Sequence, residues 1–305
     1  MPMPPLPDPT DSGIRIRGRI LGYLGAVFLF SAIMVINLIQ MLSVVLLPFS
    51  RATFRGINRA VADLWWSWCV MVARRVQGVQ VEITGDEVPS NENTVLLCNH
   101  QSMSDIPVLF DLGWRKGRLG DLKWYVKDVL KYVPGIGWGM LFLDCLFIKR
   151  DWTADKDKIR RTFKSIVSAR VPVWIVSFAE GTRATPAKVE RSNAYAAGKG
   201  LPCLQHVLLP RTKGFVATLE GLEGHLDAVL DCTIGYHHGV PTLWQWLKGY
   251  APRVSLHVRR FETKALPADD EGRTAWLIAR YEEKNRLLAE FMETGRFPGE
   301  VMAEG

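Results

Sequence analysis

The sequence predicts an α/β domain, built on a mixed, largely buried sheet flanked by helices and preceded by an N-terminal helical segment that anchors it to a membrane. Three observations lead there. Short β-rich runs alternate with helical or polar stretches from about residue 79 onward, an uncharged stretch runs from Ile20 to Ser50, and 48% of the 305 residues are hydrophobic. That composition supplies a sizeable core and excludes a disordered chain.

In chain order, the Pro-rich residues 1–19 read as a disordered tail. Residues 20–78 read as a membrane anchor and an interfacial helix. The run from Ile20 to Ser50 would reach roughly 45 Å as a helix, against about 30 Å of hydrocarbon, so it either spans with tilt or folds into a shallow hairpin. It is too long and lacks the exit site expected of a cleaved leader. Arginines flank both ends (Arg15, Arg17 and Arg19; Arg51, Arg55 and Arg59), so the positive-inside rule gives no orientation. Trp65, Trp66 and Trp68 follow, suited equally to the headgroup boundary and to packing against the next domain.

Residues 79–305 form the α/β domain. Strands are expected at Val79 to Ile83, Thr94 to Cys98, Lys123 to Val126, Cys145 to Ile148, Val173 to Phe178, His206 to Leu209, Leu226 to Ile234 and Val254 to Phe261. Asp155 to Arg170 has helical periodicity, with Ile159, Phe163, Ile166 and Val167 on one face and Lys156, Lys158, Arg160, Arg161 and Lys164 on the other. Glu271 to Phe297 reads as a closing helix.

The formal charge of +7 is concentrated: residues 111–170 hold fourteen Lys or Arg against seven Asp. Such a region faces phosphate on a lipid headgroup, a carrier such as coenzyme A, or nucleic acid. The anchor, and the want of a nucleic-acid motif, argue against the last. The five cysteines (Cys69, Cys98, Cys145, Cys203, Cys232) are widely separated, with no CxxC and no His at ligand spacing; they read as buried thiols, with no metal role.

Chemistry enters after the second strand, where Asn99-His100-Gln101-Ser102-Met103-Ser104-Asp105 follows Cys98. Strand ends commonly display catalytic groups in α/β sheets. A turn into a helix brings His100 and Asp105 together; the carboxylate then fixes the imidazole tautomer, leaving the other nitrogen to take a proton from a hydroxyl. No GxSxG elbow is present, so direct transfer to an acceptor hydroxyl is expected rather than a covalent intermediate. A second polar loop, Ala179-Glu180-Gly181-Thr182-Arg183, follows the apolar strand ending at Phe178. Arg183 offers forked donors to phosphate, and Glu180 would hold a glycerol hydroxyl or pair with an arginine.

Together these residues resemble the phospholipid and glycerol acyltransferase family, and within it the 1-acylglycerol-3-phosphate acyltransferases of the bacterial inner-membrane type. The resemblance covers roughly residues 80–262. It rests on four blocks in order: NHxxxxD at Asn99, His100 and Asp105; Phe147 to Arg150; Phe178 to Arg183, with Ala179 where the family usually has Pro; and Val207 to Pro210, continuing to Phe215. It implies that His100 and Asp105 are catalytic and that Arg150 binds the acceptor phosphate. Asn99, Ser102, Glu180, Gly181, Thr182 and Arg183 would complete the substrate site. It further implies transfer of an acyl group from acyl-CoA or acyl-carrier protein to a lysophospholipid, with no metal or prosthetic group. The chemistry would take place at the cytoplasmic face of a membrane, expected to be a bacterial inner membrane.

Overall fold

The computed structural model describes residues 1–149 and 152–302. Seven strands form one mixed sheet in the order β1-β7-β6-β2-β5-β3-β4: β1 (Gln80–Gly85), β2 (Thr94–Cys98), β3 (Leu122–Lys127), β4 (Leu146–Ile148), β5 (Trp174–Ser177), β6 (Ala228–Tyr236) and β7 (Arg253–Glu262). β2 lies at the centre, parallel to both β5 and β6, and β3 and β4 continue that direction outward from β5. Only β7, antiparallel to β6, and β1 beside it run the other way. The carboxyl ends of five strands therefore share one edge, and the site is built there. Every residue of β2 and β6 is buried, which is why both read as continuous apolar runs rather than alternating ones.

Seven of the eight expected strands form; His206 to Leu209 does not. Its backbone donors are taken by side chains before any neighbouring strand can use them. Asn285 Oδ1 accepts from the amides of Gln205 and His206, the Glu180 carboxylate from Leu208, and Ser192 Oγ from Leu209. An apolar run whose donors are captured this way packs as extended loop.

The N-terminal segment also departs from expectation. Residues 1–11 are docked rather than disordered: Pro5 bridges Val240, the Leu6 amide donates to the Val240 carbonyl at 2.9 Å, and Met3 and Leu6 are buried. Two apolar side chains and a short ladder anchor what composition alone marks as free. Helix α1 (Ser12–Ser43), capped by the Asp11 carboxylate, then runs unbroken until a tight turn. Helix α2 (Arg51–Met71) returns antiparallel to it, capped by Ser50. Asn58 bonds Ser43 near the turn, and the Trp65 indole donates to the Leu29 carbonyl farther along.

α1 touches the rest of the protein from end to end. Near its start Gly18 lies against Tyr250, so closely that a methyl group there would enter the ring; near its end Asn37 accepts from the Gly135 amide. The opposite face is bare and apolar, with Leu24, Val27, Phe30, Val35, Leu38 and Leu42 each more than half exposed. α1 together with its terminal turn, Ser12–Leu46, is long and apolar enough to cross a membrane. The tryptophans serve packing: Trp66 is buried and stacks on Phe110 at 5.4 Å, and Trp68 meets Phe28 at 5.8 Å.

Helix α3 (Asp105–Arg115) leaves the end of β2, and α4 (Ile136–Leu141) lies between β3 and β4. α5 (Trp152–Ser168) buries Ile159, Phe163 and Ile166, as its periodicity requires, and exposes its lysines and arginines. α6 (Pro186–Ala197), α7 (Thr212–Gly221) and the single turn α8 (Leu243–Leu247) follow, and α9 (Asp270–Thr294) closes the fold against β6. Four of the five cysteines are buried or half-buried; Cys203, expected inside, is exposed on the loop after α6.

Candidate active site

β2 ends at Cys98, and the next two residues are held from opposite sides. The Asn99 amide clasps Ile234 with two bonds, donating to its carbonyl at 3.1 Å and accepting from its N–H at 2.8 Å. This extends the pairing of β2 with β6 by one residue and commits the whole side chain, which is fully buried. The His100 amide donates to Glu180 Oε1 at 2.7 Å, and its carbonyl accepts from the Ala184 amide at 2.8 Å. The two sequence motifs thus meet through His100's own backbone.

The Asp105 carboxylate, wholly buried at the start of α3, accepts from four donors. Oδ2 takes the Gln101 amide at 2.7 Å, the Ser102 amide at 2.9 Å and His100 Nδ1 at 2.9 Å; Oδ1 takes the Tyr236 hydroxyl at 2.7 Å. A carboxylate filled by donors fixes the ring tautomer: Nδ1 carries the hydrogen and Nε2 presents its lone pair. Among the described residues Nε2 makes no hydrogen bond, and Phe178 stacks on the imidazole at 4.2 Å, setting the ring plane. One ring nitrogen is oriented and the other open, which is the geometry a general base requires.

Tyr236, at the end of β6, lies 131 positions from its partner Asp105 and carries no sequence signal of its own. Tyr236→Phe removes one hydrogen bond to a charged group, so kcat is expected to fall about tenfold. Steady-state kinetics beside an unchanged melting temperature would check this.

Glu180 and Ser102 serve the frame. Glu180, expected to hold a hydroxyl or an arginine, is buried and spends its oxygens on the amides of His100 and Leu208. Burial pushes its carboxyl up to about 8, against those two amide bonds, which favour the anion. Ser102 donates its hydroxyl to the Pro241 carbonyl. Asn99, Ser102 and Glu180, expected to touch substrate, are in each case turned into the protein, because the loops carrying the dyad have backbone groups that must be satisfied.

Gly181 adopts φ 69°, a conformation that favours glycine, and a Cβ there would come within 3.0 Å of Arg211 Cδ and Nε. The Thr182 hydroxyl accepts from Lys188 Nζ at 2.7 Å. Arg183 is exposed at the loop's end. Arg211, whose amide donates to the Ala179 carbonyl, lies over the same loop; sequence reading did not assign it a role, although it directly follows the fourth block. Among the described residues neither arginine has an ion-pair partner, so two exposed cations stand on and against the loop whose Glu180 holds the His100 amide. Arg150 lies outside the described residues.

A half-buried histidine bonded to a buried carboxylate at the carboxyl edge of parallel strands, with two exposed arginines on the neighbouring loops, has the make-up of an enzyme's site. The acyltransferase family model matches residues 80–234, and a model of the acyltransferase C-terminus matches residues 245–304. The chain is 32% identical over 280 residues to 1-acyl-sn-glycerol-3-phosphate acyltransferase 3 of Arabidopsis thaliana, covering 88% of this chain and 73% of that protein. It is 34% identical over 289 residues to human 1-acyl-sn-glycerol-3-phosphate acyltransferase delta, covering 93% and 76%. Its fold matches the crystal structure of the 1-acyl-sn-glycerophosphate (LPA) acyltransferase PlsC from Thermotoga maritima with a TM-score of 0.54 at 18% identity, covering 93% of this chain and 99% of that one. The chain belongs to the acyltransferase family and is an acyltransferase.

Proposed function

We propose that the protein transfers a fatty acyl group from an acyl-CoA or acyl-carrier-protein thioester to the free sn-2 hydroxyl of 1-acylglycerol-3-phosphate, giving phosphatidic acid. The observation that carries the mechanism is the open Nε2 of His100, held in one tautomer by Asp105. Nε2 takes the hydroxyl proton as the alkoxide oxygen bonds the thioester carbonyl carbon; the C–S bond then breaks, and the thiolate leaves with the proton returned by the imidazolium. Asp105 stabilises the imidazolium in between. Arg183 and Arg211, with Arg150, grip the acceptor phosphate. The relatives, both named for action on 1-acyl-sn-glycerol-3-phosphate, support this acceptor. The donor thioester supplies the acyl group, and no metal or prosthetic group takes part.

The bare apolar face of α1 supports a membrane site, where a lysophospholipid acceptor and a water-borne donor meet. The cytoplasmic face belongs to this proposal on the family resemblance, and a bacterial inner membrane on the likeness of Pro210 to Phe215 to a branch that also holds certain eukaryotic enzymes.

A mass-spectrometric product assay crossing acyl-CoA and acyl-carrier-protein donors with a panel of lysophospholipids tests the reading. Phosphatidic acid is expected to dominate. Greater turnover on lysophosphatidylglycerol or lysophosphatidylinositol would replace the acceptor. Arg183→Ala and Arg211→Ala are each expected to raise the acceptor KM about tenfold or more with little change in kcat, since they bind a group remote from the reacting carbon. An unchanged KM would remove the phosphate grip.

A further inference from the structure

The sheet has a second cationic concavity, at the edge opposite the dyad. A cavity of about 450 Å³ opens between the start of α2, the end of α5 and the amino ends of β3, β4 and β5. Its charged lining is Arg51, Arg55, Arg59, Lys123 and Arg170 against Asp121 and Asp144, five cations and two carboxylates. Since β2, β3 and β5 run parallel and His100 follows the carboxyl end of β2, the length of the sheet, roughly 15 Å, separates the cavity from the catalytic edge.

Two of the five cations are engaged by the protein. Arg55 bonds Asp144 at 2.9 Å and Ser165 at 2.9 Å, and Arg59 pairs with Asp121. Arg51, Arg170 and Lys123 are left. Lys123 is 4% exposed, yet among the described residues its ammonium has only the Gly120 carbonyl, at 3.5 Å. Burial without a close partner lowers its pKa, the condition an arriving anion would relieve. Arg170 sits at φ 48°, just beyond the end of α5, a position that glycine fills more easily. Immediately before Arg51, the turn between α1 and α2 shows Val45 and Phe49 to solvent, 68% and 82% exposed.

We propose that this cavity is a second, non-catalytic phosphate site, which takes the headgroup of an anionic membrane phospholipid while its acyl chains lie along the apolar turn from Val44 to Phe49. Unpartnered cations and a greasy rim side by side match one amphiphile: phosphate inside, hydrocarbon outside. The site binds lipid whether or not that lipid is a substrate.

The test uses the full chain in neutral-detergent micelles, titrated with dihexanoyl phosphatidylglycerol or dihexanoyl phosphatidylcholine and read by native mass spectrometry of retained lipid. One phosphatidylglycerol is expected to be retained in preference to phosphatidylcholine. The double variant Arg51→Gln/Arg170→Gln is expected to weaken retention about tenfold or more, and Lys123→Met to do the same. Arg161→Gln, on the helix that leads to Arg170 but outside the cavity, is expected to change nothing. Arg183→Ala is expected to leave retention intact, so this result stands apart from the fate of the acceptor assignment. Should Lys123→Met fail to fold, the exposed double variant still decides. Equal retention of the two lipids, or a loss in Arg161→Gln matching that of the double variant, would overturn the site. Displacement by an equal concentration of inorganic phosphate would assign it to free phosphate and overturn the lipid reading.

Discussion

His100→Ala is expected to lower kcat by about a thousandfold or more while the protein stays folded, because the substitution removes the base and leaves the frame around it intact. The ring's one side-chain hydrogen bond among the described residues goes to Asp105, and its packing partner Phe178 keeps Trp124 behind it. Asp105→Asn should cost nearly as much, about a thousandfold. An amide has one acceptor oxygen for four donors and would present its NH₂ to Nδ1, driving the ring hydrogen to Nε2, where it blocks the lone pair. Single-turnover kinetics with saturating donor and acceptor, beside thermal melting of each variant, would check both. Undiminished turnover by the His100 variant would dismiss it as the base.

The second large effect concerns stability. Lys284, on α9, is wholly buried: its ammonium pairs with Asp231 at 2.5 Å and donates to the carbonyls of Leu97 at 3.0 Å and Cys232 at 2.6 Å. Lys284→Met keeps the volume but takes a hydrogen bond from each of two carbonyls and an ion-pair partner from a buried carboxylate. Among the described residues Asp231 would retain only Arg259 as an ion-pair partner, at 2.7 Å. Removing one member of such a pair costs about 3–5 kcal/mol, measurable by chemical denaturation in detergent. The neighbouring Tyr281 hydroxyl donates to the Cys98 carbonyl, so α9 grips the end of β2 two residues before His100. Loss of activity is therefore expected to track loss of fold in this variant, unlike His100→Ala.

How much of this was legible beforehand depended on whether the cause was local. β2 and the dyad could be read because a five-residue apolar strand and a short loop contain their own instructions: the run ends at Cys98, and Asp105 starts a helix close enough to meet His100. α5 was legible for the same reason, its face being set by its own periodicity. Tyr236 and Lys284 were not, since each matters through a partner more than fifty positions away and neither residue type in isolation signals a buried bond. The loop at His206 misled because hydrophobicity reports burial and not hydrogen-bond partners; Glu180, Ser192 and Asn285 had claimed its donors. The docked N terminus misled for the converse reason: proline-rich composition reports a low helix tendency, while Met3 and Leu6 find an apolar seat supplied by residues far along the chain. The bonds of Asn99 and Glu180 to backbone groups were not legible, because a polar side chain beside the histidine serves the backbone as readily as it would a substrate.

The contact of α1 with the domain along its whole length bears on how the enzyme meets lipid. Flanked on one side by protein from Gly18 to Ser43, the helix has its opposite, apolar flank left to offer lipid, so an acyl chain would meet it along its length rather than at its tip.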